Sequence, residues 1–433
     1  MAVWCLVMPI TSFLIVPSIQ GTVPAYMMAF ASVGLAFFRV DPYGVAQKRK
    51  YFLSLAQILL LWTLLFCGSQ LGHLMSSRTG FGDLLMVDGG DSTKVAFRGT
   101  LFTQSLYLGA CVCIALYFRY FFREEWLKYV LWGGWLAAAY GVFEWTYFLL
   151  FKESGDFLVN REFVTNAKVS SGSWSQGITI GPFDLLRIKS TFGEPAFFST
   201  AVIPYLLLAL KFKRRALALA LLFCTLFSTS TSAYLGLVVG LLAMLFLRKR
   251  LNLPILIVAV AVIAAFYVLT TVFPETFRAL FTDKFSGENR SGEERWANFY
   301  TMLEQLSGFS LTTWLFGIGF GYSYYPMFQS ALINAGVLGL AVYLIVFFKP
   351  ILLLRNDARN IESKVGLLVI CFIYAINVAE SVIPTTWMFL GIAYWLLDTQ
   401  GHPEPRGLTG EDAMATPATV DQPQPSGLNS RRI

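Results

Sequence analysis

From Ala216 to Leu247 the chain runs 32 residues without a charged side chain, and basic clusters close both ends. Lys211, Lys213, Arg214 and Arg215 precede the run; Arg248, Lys249 and Arg250 follow it. As one helix it would be about 48 Å long, well beyond the ~30 Å of bilayer hydrocarbon. Basic flanks stay on the cytoplasmic side of a membrane, so this run must go out and return. The STSTS cluster at Ser228–Ser232 lies midway along it and makes the natural corner. The same reasoning divides Val3–Phe38 near Pro17, Gly21 and Pro24, and divides Val365–Leu397 at Pro384.

Composition excludes a soluble domain. Hydrophobic residues make up 56% of the 433 and charged residues only 14%, against roughly 25% charged in soluble proteins. Cys5, Cys67, Cys111, Cys113, Cys224 and Cys371 all fall in apolar stretches. That placement suits small buried hydrophobes better than disulfides or zinc ligands. His73 and His402 are the only histidines, so no metal centre and no cofactor are expected. The net charge of +7 follows from where membrane proteins keep Lys and Arg, and implies no nucleic-acid partner. The N-terminal segment has neither a basic region nor a small-residue cleavage site, so no cleavable signal is expected.

These features predict an all-α polytopic membrane protein with about twelve transmembrane helices. Candidate spans run near 3–18, 22–38, 51–70, 101–118, 129–150, 195–210, 216–229, 232–247, 254–272, 326–348, 365–382 and 385–397. The membrane part covers 1–398. Residues 399–433, rich in Pro, Gly, Ser and Thr and without aromatics, read as a disordered cytoplasmic tail. With both termini cytoplasmic, more than half of the 33 Lys and Arg fall on cytoplasmic connections. Three in the tail apart, the others concentrate in three long outer loops, about 71–100, 151–194 and 273–325. Loops of such length are functional or disordered.

Two of these loops carry candidate chemistry. In the second, DLLRIKSTFGEPAFFS leads straight into a span. Arg187 and Lys189 are two apart, which in an extended segment points both the same way. Glu194 then stands at a helix mouth, with Pro195 suited to the first helical position. Two accounts of Glu194 stand side by side: a cap that complements the helix dipole, or a carboxylate poised where a membrane-bound substrate meets water. In the third loop, FTDKFSGENRSGEERWANFY gathers Arg290 and Arg295 with Glu288, Glu293, Glu294 and Trp296. A solvated amphipathic helix with internal ion pairs is one reading. The other is an anion site, because arginine's planar fork binds phosphate oxygens in pairs, with Trp296 contacting glycan or the lipid interface. Gly317, Gly319 and Gly321 in WLFGIGFGYSYY suggest flexible re-entry or a close backbone approach rather than a dinucleotide site. Glu144 and Glu380 lie within spans and are functional candidates by position; His73 receives no role.

Four pieces, IKSTFGEPAFFSTAVIPYLL, LFSTSTSAYLGLVVGLL, RSGEERWANF and WLFGIGFGYSYY, occur in that order over roughly 187–348. As an ordered set they resemble the bacterial O-antigen polymerase and ligase superfamily, membrane glycosyltransferases acting on undecaprenyl-diphosphate glycans. The resemblance implies a GT-C-like membrane fold in the bacterial cytoplasmic (inner) membrane. It also implies two large periplasmic loops whose arginines hold the lipid diphosphate: here Arg187, with Lys189 beside it, and Arg290 and Arg295. Ligases of this superfamily have a histidine in the late outer loop, whereas this chain has none between His73 and His402. The polymerase is therefore the better match, and the size and tail also resemble xanthan-type exopolysaccharide polymerases. Of the paired R-x10-G motifs of some polymerases, Arg161 and Gly172 supply one, and neither Arg290 nor Arg295 supplies the other. The implied reaction moves a growing glycan from undecaprenyl diphosphate to an incoming lipid-linked repeat unit, with Glu194 as base. The implied partners are the lipid-linked oligosaccharide, the bilayer, a flippase and a chain-length regulator. A ligase and a transporter or flippase for the same lipid-linked sugars are the alternatives.

The charge pattern fixes an expected topology. With the native cysteines replaced, a membrane-impermeant thiol reagent added outside should label a cysteine at Ser286 and spare one at Ser363. The reverse pattern would overturn the orientation.

Overall fold

The computed structural model describes residues 1–400 except 18, 40–41, 76–80, 82–83, 88–93, 166–167, 172–175, 181–182, 249–252, 287, 289 and 377–381. Helices dominate. The first group is α1 (Ala2–Val7), α2 (Pro24–Phe37), α3 (Pro42–Met75), α4 (Gly99–Phe121) and α5 (Leu127–Phe151). The long loop after α5 then forms two antiparallel hairpins, β1 (Glu162–Thr165) with β2 (Lys168–Ser171) and β3 (Gly177–Ile180) with β4 (Phe183–Leu186). The all-α expectation missed this small β element. Next come α6 (Pro195–Lys211), α7 (Arg215–Phe227), α8 (Thr231–Leu247) and α9 (Leu253–Thr271). The third loop holds α10 (Pro274–Phe277), a π-turn at Arg278–Thr282, α11 (Asp283–Ser286), α12 (Arg290–Ser307) and α13 (Leu311–Phe316). The chain continues with α14 (Met327–Leu353), α15 (Ile361–Ile376) and α16 (Pro384–Thr399).

Among the described residues, three helices are long and apolar enough to cross a membrane: Gly44–Met75 of α3, α4 and α14. A fourth arises if the bent pair Ile255–Thr271 and Pro274–Thr282 is counted as one span. Other apolar helices are shorter, such as α7 at 13 residues and α6 and α8 at 17, or roughly 20–26 Å. The uncharged run does break at its STSTS cluster, between α7 and α8, with Thr229 at positive φ. The stretch 3–18 departs from a span, being helical only at Ala2–Val7. Pro9 and Pro17 each remove an amide donor, and the chain between them bonds to the second outer loop instead. Thr11 and Ser12 amides donate to the Thr191 carbonyl at 3.0 and 3.4 Å. The Leu14 amide and carbonyl exchange bonds with the Asn160 side chain at 2.6 and 2.9 Å. Irregular backbone is tolerated in a membrane protein where protein satisfies it in this way.

The core forms where α4 packs on α16 and α15 packs on α6 and α8. Helix α6 is buried along nearly its whole length, and its two ends meet different chemistry. At the C-terminal end, buried Glu362 takes ion pairs from Arg248 and from Lys211, the latter at 3.9 Å, while the Lys211 ammonium donates to the Arg359 carbonyl at 2.5 Å. The basic residues read as cytoplasmic thus gather at one end of α6. The loop segment bearing Arg187 and Glu194 sits at the other.

The glycines of the third loop are explained by close backbone approach, not by flexibility. Ile318 and Gly319 amides donate to Ile333 and Asn334 carbonyls at 2.8 and 3.0 Å, laying the loop along a break in α14 at Gly336. Gly317 (φ 72°, ψ −172°) and Gly336 (φ 68°, ψ −168°) occupy a region essentially reserved for glycine. A Cβ on Gly317 would lie 2.3 Å from the Asn334 carbonyl carbon, and one on Gly336 would lie 2.3 Å from the Leu315 oxygen. His73 is a structural part of this junction: its Nε2–H donates to the Ile318 carbonyl and its ring stacks on Tyr322. Gly317→Ala and Gly336→Ala should both lower the melting temperature in detergent. Gly34→Ala, mid-helix with open space around it, should leave it unchanged or raise it slightly. Equal melting of all three would contradict the close contact.

Candidate functional site

The segment from β4 to α6 is held by a buried charge. Lys189 is 0% exposed, and its ammonium pairs with Glu144 of α5 at 3.0 Å and with Asp156 of the following loop at 2.7 Å. The other Glu144 oxygen accepts from the Ser190 amide at 3.0 Å, and the Ser190 hydroxyl donates to the Ala137 carbonyl at 2.7 Å. Thr191 donates to the Pro9 carbonyl at 2.7 Å. A lysine taken out of water needs such partners, since removing one leaves an uncompensated buried charge. Lys189 therefore departs from its expected direction: it points into the protein rather than outward beside Arg187. Glu144, singled out in the sequence by its place in a candidate span, is its counter-ion. Glu380 and Gly172 lie outside the described residues.

Arg187 takes a different course. Its amide extends the β3–β4 ladder to the Gln176 carbonyl at 2.9 Å, and the next amide, of Ile188, donates to the Phe227 carbonyl at 3.1 Å. The half-buried guanidinium reaches the STSTS corner. Nε donates to the Ser228 carbonyl at 3.3 Å and to the Thr229 hydroxyl at 3.0 Å, Nη2 donates to the Thr229 carbonyl at 3.2 Å, and Nη1 donates to the Gln176 side chain. The Ser228 carbonyl follows from helix geometry, because it is the C-cap of α7 and the last carbonyls of a helix have no intrahelical partner and favour a cation. Gln176 and Thr229 carried no sequence signal as arginine acceptors, and Asp156 none as a partner of Lys189.

Glu194 occupies the N-cap position of α6, yet its side chain makes no capping hydrogen bond to the first turn. The capping account therefore lacks its bond. Burial lowers the Arg187 guanidinium pKa from its ordinary value, Glu194 opposes that shift, and Arg295 adds to it. For Arg295 likewise, surrounding protein lowers the pKa while Glu194 opposes it. Arg295 is nonetheless surface-exposed. Its position on α12 brings it beside the protein: Arg295, Phe299, Met302 and Leu306 follow one helical stripe, and Met302 and Leu306 are buried. Arg295 is the exposed end of that stripe.

Two arginines and one carboxylate, from separate loops, thus fall within electrostatic reach of one another. The third loop is held in place by Tyr234, Leu269, Leu280 and Phe281, which cluster with Ile178 of β3, and by the Thr231 hydroxyl donating to the Leu280 carbonyl at 2.7 Å. The backbone of Arg290 opens α12, while its side chain lies outside the described residues. Trp296 is exposed and stacks on Tyr300, ring centroids 6.0 Å apart. Among the described residues no group of three or more His, Cys, Asp or Glu is arranged to hold a metal. Set against known proteins, the chain matches no family model, no curated protein and no solved structure.

The buried pairings generate a direct test of Lys189. Lys189→Met should destabilise the fold by about 3–5 kcal/mol, the cost of orphaning buried charges, and adding Glu144→Gln with Asp156→Asn should recover part of it. Thermal unfolding in detergent reads both. Wild-type melting of Lys189→Met together with weakened anion binding would return Lys189 to the ligand.

Proposed function

We propose that this chain is a polysaccharide polymerase that transfers a growing glycan from undecaprenyl diphosphate to an incoming lipid-linked repeat unit at the periplasmic face of the bacterial inner membrane. The observation that carries the reading is the convergence of Arg187, Arg295 and Glu194 from two separate outer loops. Twelve crossings, cytoplasmic termini and a GT-C-like architecture belong to the same proposal. Its support is the gathering of basic residues at the end of α6 opposite this site.

In the proposed reaction the hydroxyl oxygen of the acceptor sugar attacks the anomeric carbon of the donor glycan. The bond from that carbon to the diphosphate oxygen breaks, and undecaprenyl diphosphate leaves with the electron pair. Arg187, Arg290 and Arg295 stabilise the charge developing on the leaving diphosphate, as pre-positioned donors do for other anionic transition states. Glu194 accepts the hydroxyl proton. Lys189 has a supporting part: its ion pairs fix the backbone between Arg187 and Glu194.

Purified protein given a synthetic lipid-linked repeat unit should produce a polymer ladder without nucleotide sugar. Transbilayer movement of the lipid with no ladder would mark a transporter, and transfer only to a lipid A core acceptor would mark a ligase. Glu194→Gln should fold and bind the substrate, yet turn over at least about 100-fold more slowly. Activity above about a tenth of wild type, less than a general base supplies, would move the base to Asp184, Glu293 or Glu294. Arg187→Lys and Arg295→Lys should not restore full activity, since an ammonium cannot make paired phosphate contacts. Wild-type rates in both would remove the arginines from the site.

A further inference from the structure

We infer that the outward face of α12, bearing Trp296, Tyr300 and Leu303, lies on the outer surface of the lipid bilayer at headgroup level. This rests on the membrane location of the chain and not on the glycan chemistry. Met302 and Leu306 seat one side of α12 in a buried cluster with Phe81, Tyr322 and Ile333. The other side is apolar and uncovered: Trp296 is 44% exposed, Tyr300 63% and Leu303 46%. At 100° per residue these three fall within roughly 60° of arc, and the exposed Glu293 and Glu304 lie just beside them. An aromatic strip bordered by acids suits a helix lying flat, with rings among headgroups and carboxylates in water.

Two further observations say that lipid, rather than protein, covers this face. Among the described residues helix α3 is the longest apolar helix, nearly all of its apolar stretch is uncovered, and Leu64, Leu71 and Leu74 are exposed along it. Its surface is therefore lipid-facing. Helix α13 packs on α3 with Thr312 over Gly72 and Phe316 over Gly68, exposes Leu311 at 76%, and joins α12 through three residues. The uncovered apolar surface thus continues from α3 through α13 to α12. The second observation is the 109° bend between Ile255–Thr271 and Pro274–Thr282; with Ile255–Thr271 crossing the membrane, the chain after the bend runs along it before α12 begins. Seated this way, α12 holds Arg295, on the side away from the aromatic strip, at the depth where a lipid diphosphate would lie.

Single nitroxide labels at residues 297, 300, 303 and 304, placed in a cysteine-replaced full-length chain in phosphatidylethanolamine–phosphatidylglycerol nanodiscs, test the inference. Labels at 300 and 303 should collide more with oxygen than with a water-soluble nickel chelate, and those at 297 and 304 should show the reverse. Equal nickel access at all four sites would overturn it. So would spin–spin broadening at 300 and 303 that grows with the labelled fraction, which would mean that a second copy covers the face. The unsubstituted chain gives a second reading. A phospholipid with a photoreactive headgroup-proximal diazirine should form adducts on the peptide containing Trp296–Leu303, and adducts on α3 with none there would refute the placement.

Discussion

Lys189 brings a positive charge to a place that water does not reach, and the chain around it, from the stretch after α1 to the start of α6, is arranged around that fact. Glu144 and Asp156 answer the charge from an apolar helix and from the loop that follows it. A buried ion pair contributes little net stability compared with well-packed apolar groups, yet its loss is expensive. Its value here is positional. It pins the chain between β4 and α6 to the helix ends, so Arg187 and Glu194 project from a fixed backbone instead of a wandering loop. The irregular chain after α1 depends on the same segment, because its amides bond to the Thr191 carbonyl.

The grouping of Arg187, Glu194 and Arg295 depends on a different principle, side-chain periodicity on α12. Arg295 continues the stripe that buries Met302 and Leu306, so the packing that seats the helix also aims the arginine. Glu293 and Glu304 sit elsewhere on the wheel, beside the aromatic strip, and are exposed. Arg187, within electrostatic reach of Arg295, is tied to the carbonyls of Ser228 and Thr229, which links the STSTS corner to this group.

Much of this was legible in the residues and some was not. The corner at Ser228–Ser232 and the break before Pro384 followed from charge, length and proline alone. The hairpins at 162–186 did not, since four-residue strands in a polar loop leave no strong periodicity. The direction of Lys189 was misread because two-residue spacing assumes an extended strand. The chain instead leaves β4 and enters a tight 3-10 turn at Ser190–Phe192, with Ser190 at positive φ. Nothing local marks Asp156 as its partner. The irregular stretch after Val7 was hidden for the opposite reason: its apolar composition is that of a span, and only its long-range hydrogen bonds reveal otherwise.

Arg187 and Lys189 also differ in where their partners lie along the chain. Glu144 and Asp156 both precede Lys189, whereas Arg187 divides its contacts between Gln176, 11 residues before it, and Ser228 and Thr229, 41 and 42 residues after it. A growing polypeptide emerges N-terminus first, so both ion-pair partners of Lys189 are synthesised before it, while Arg187 gains its contacts at the STSTS corner only once α7 has followed.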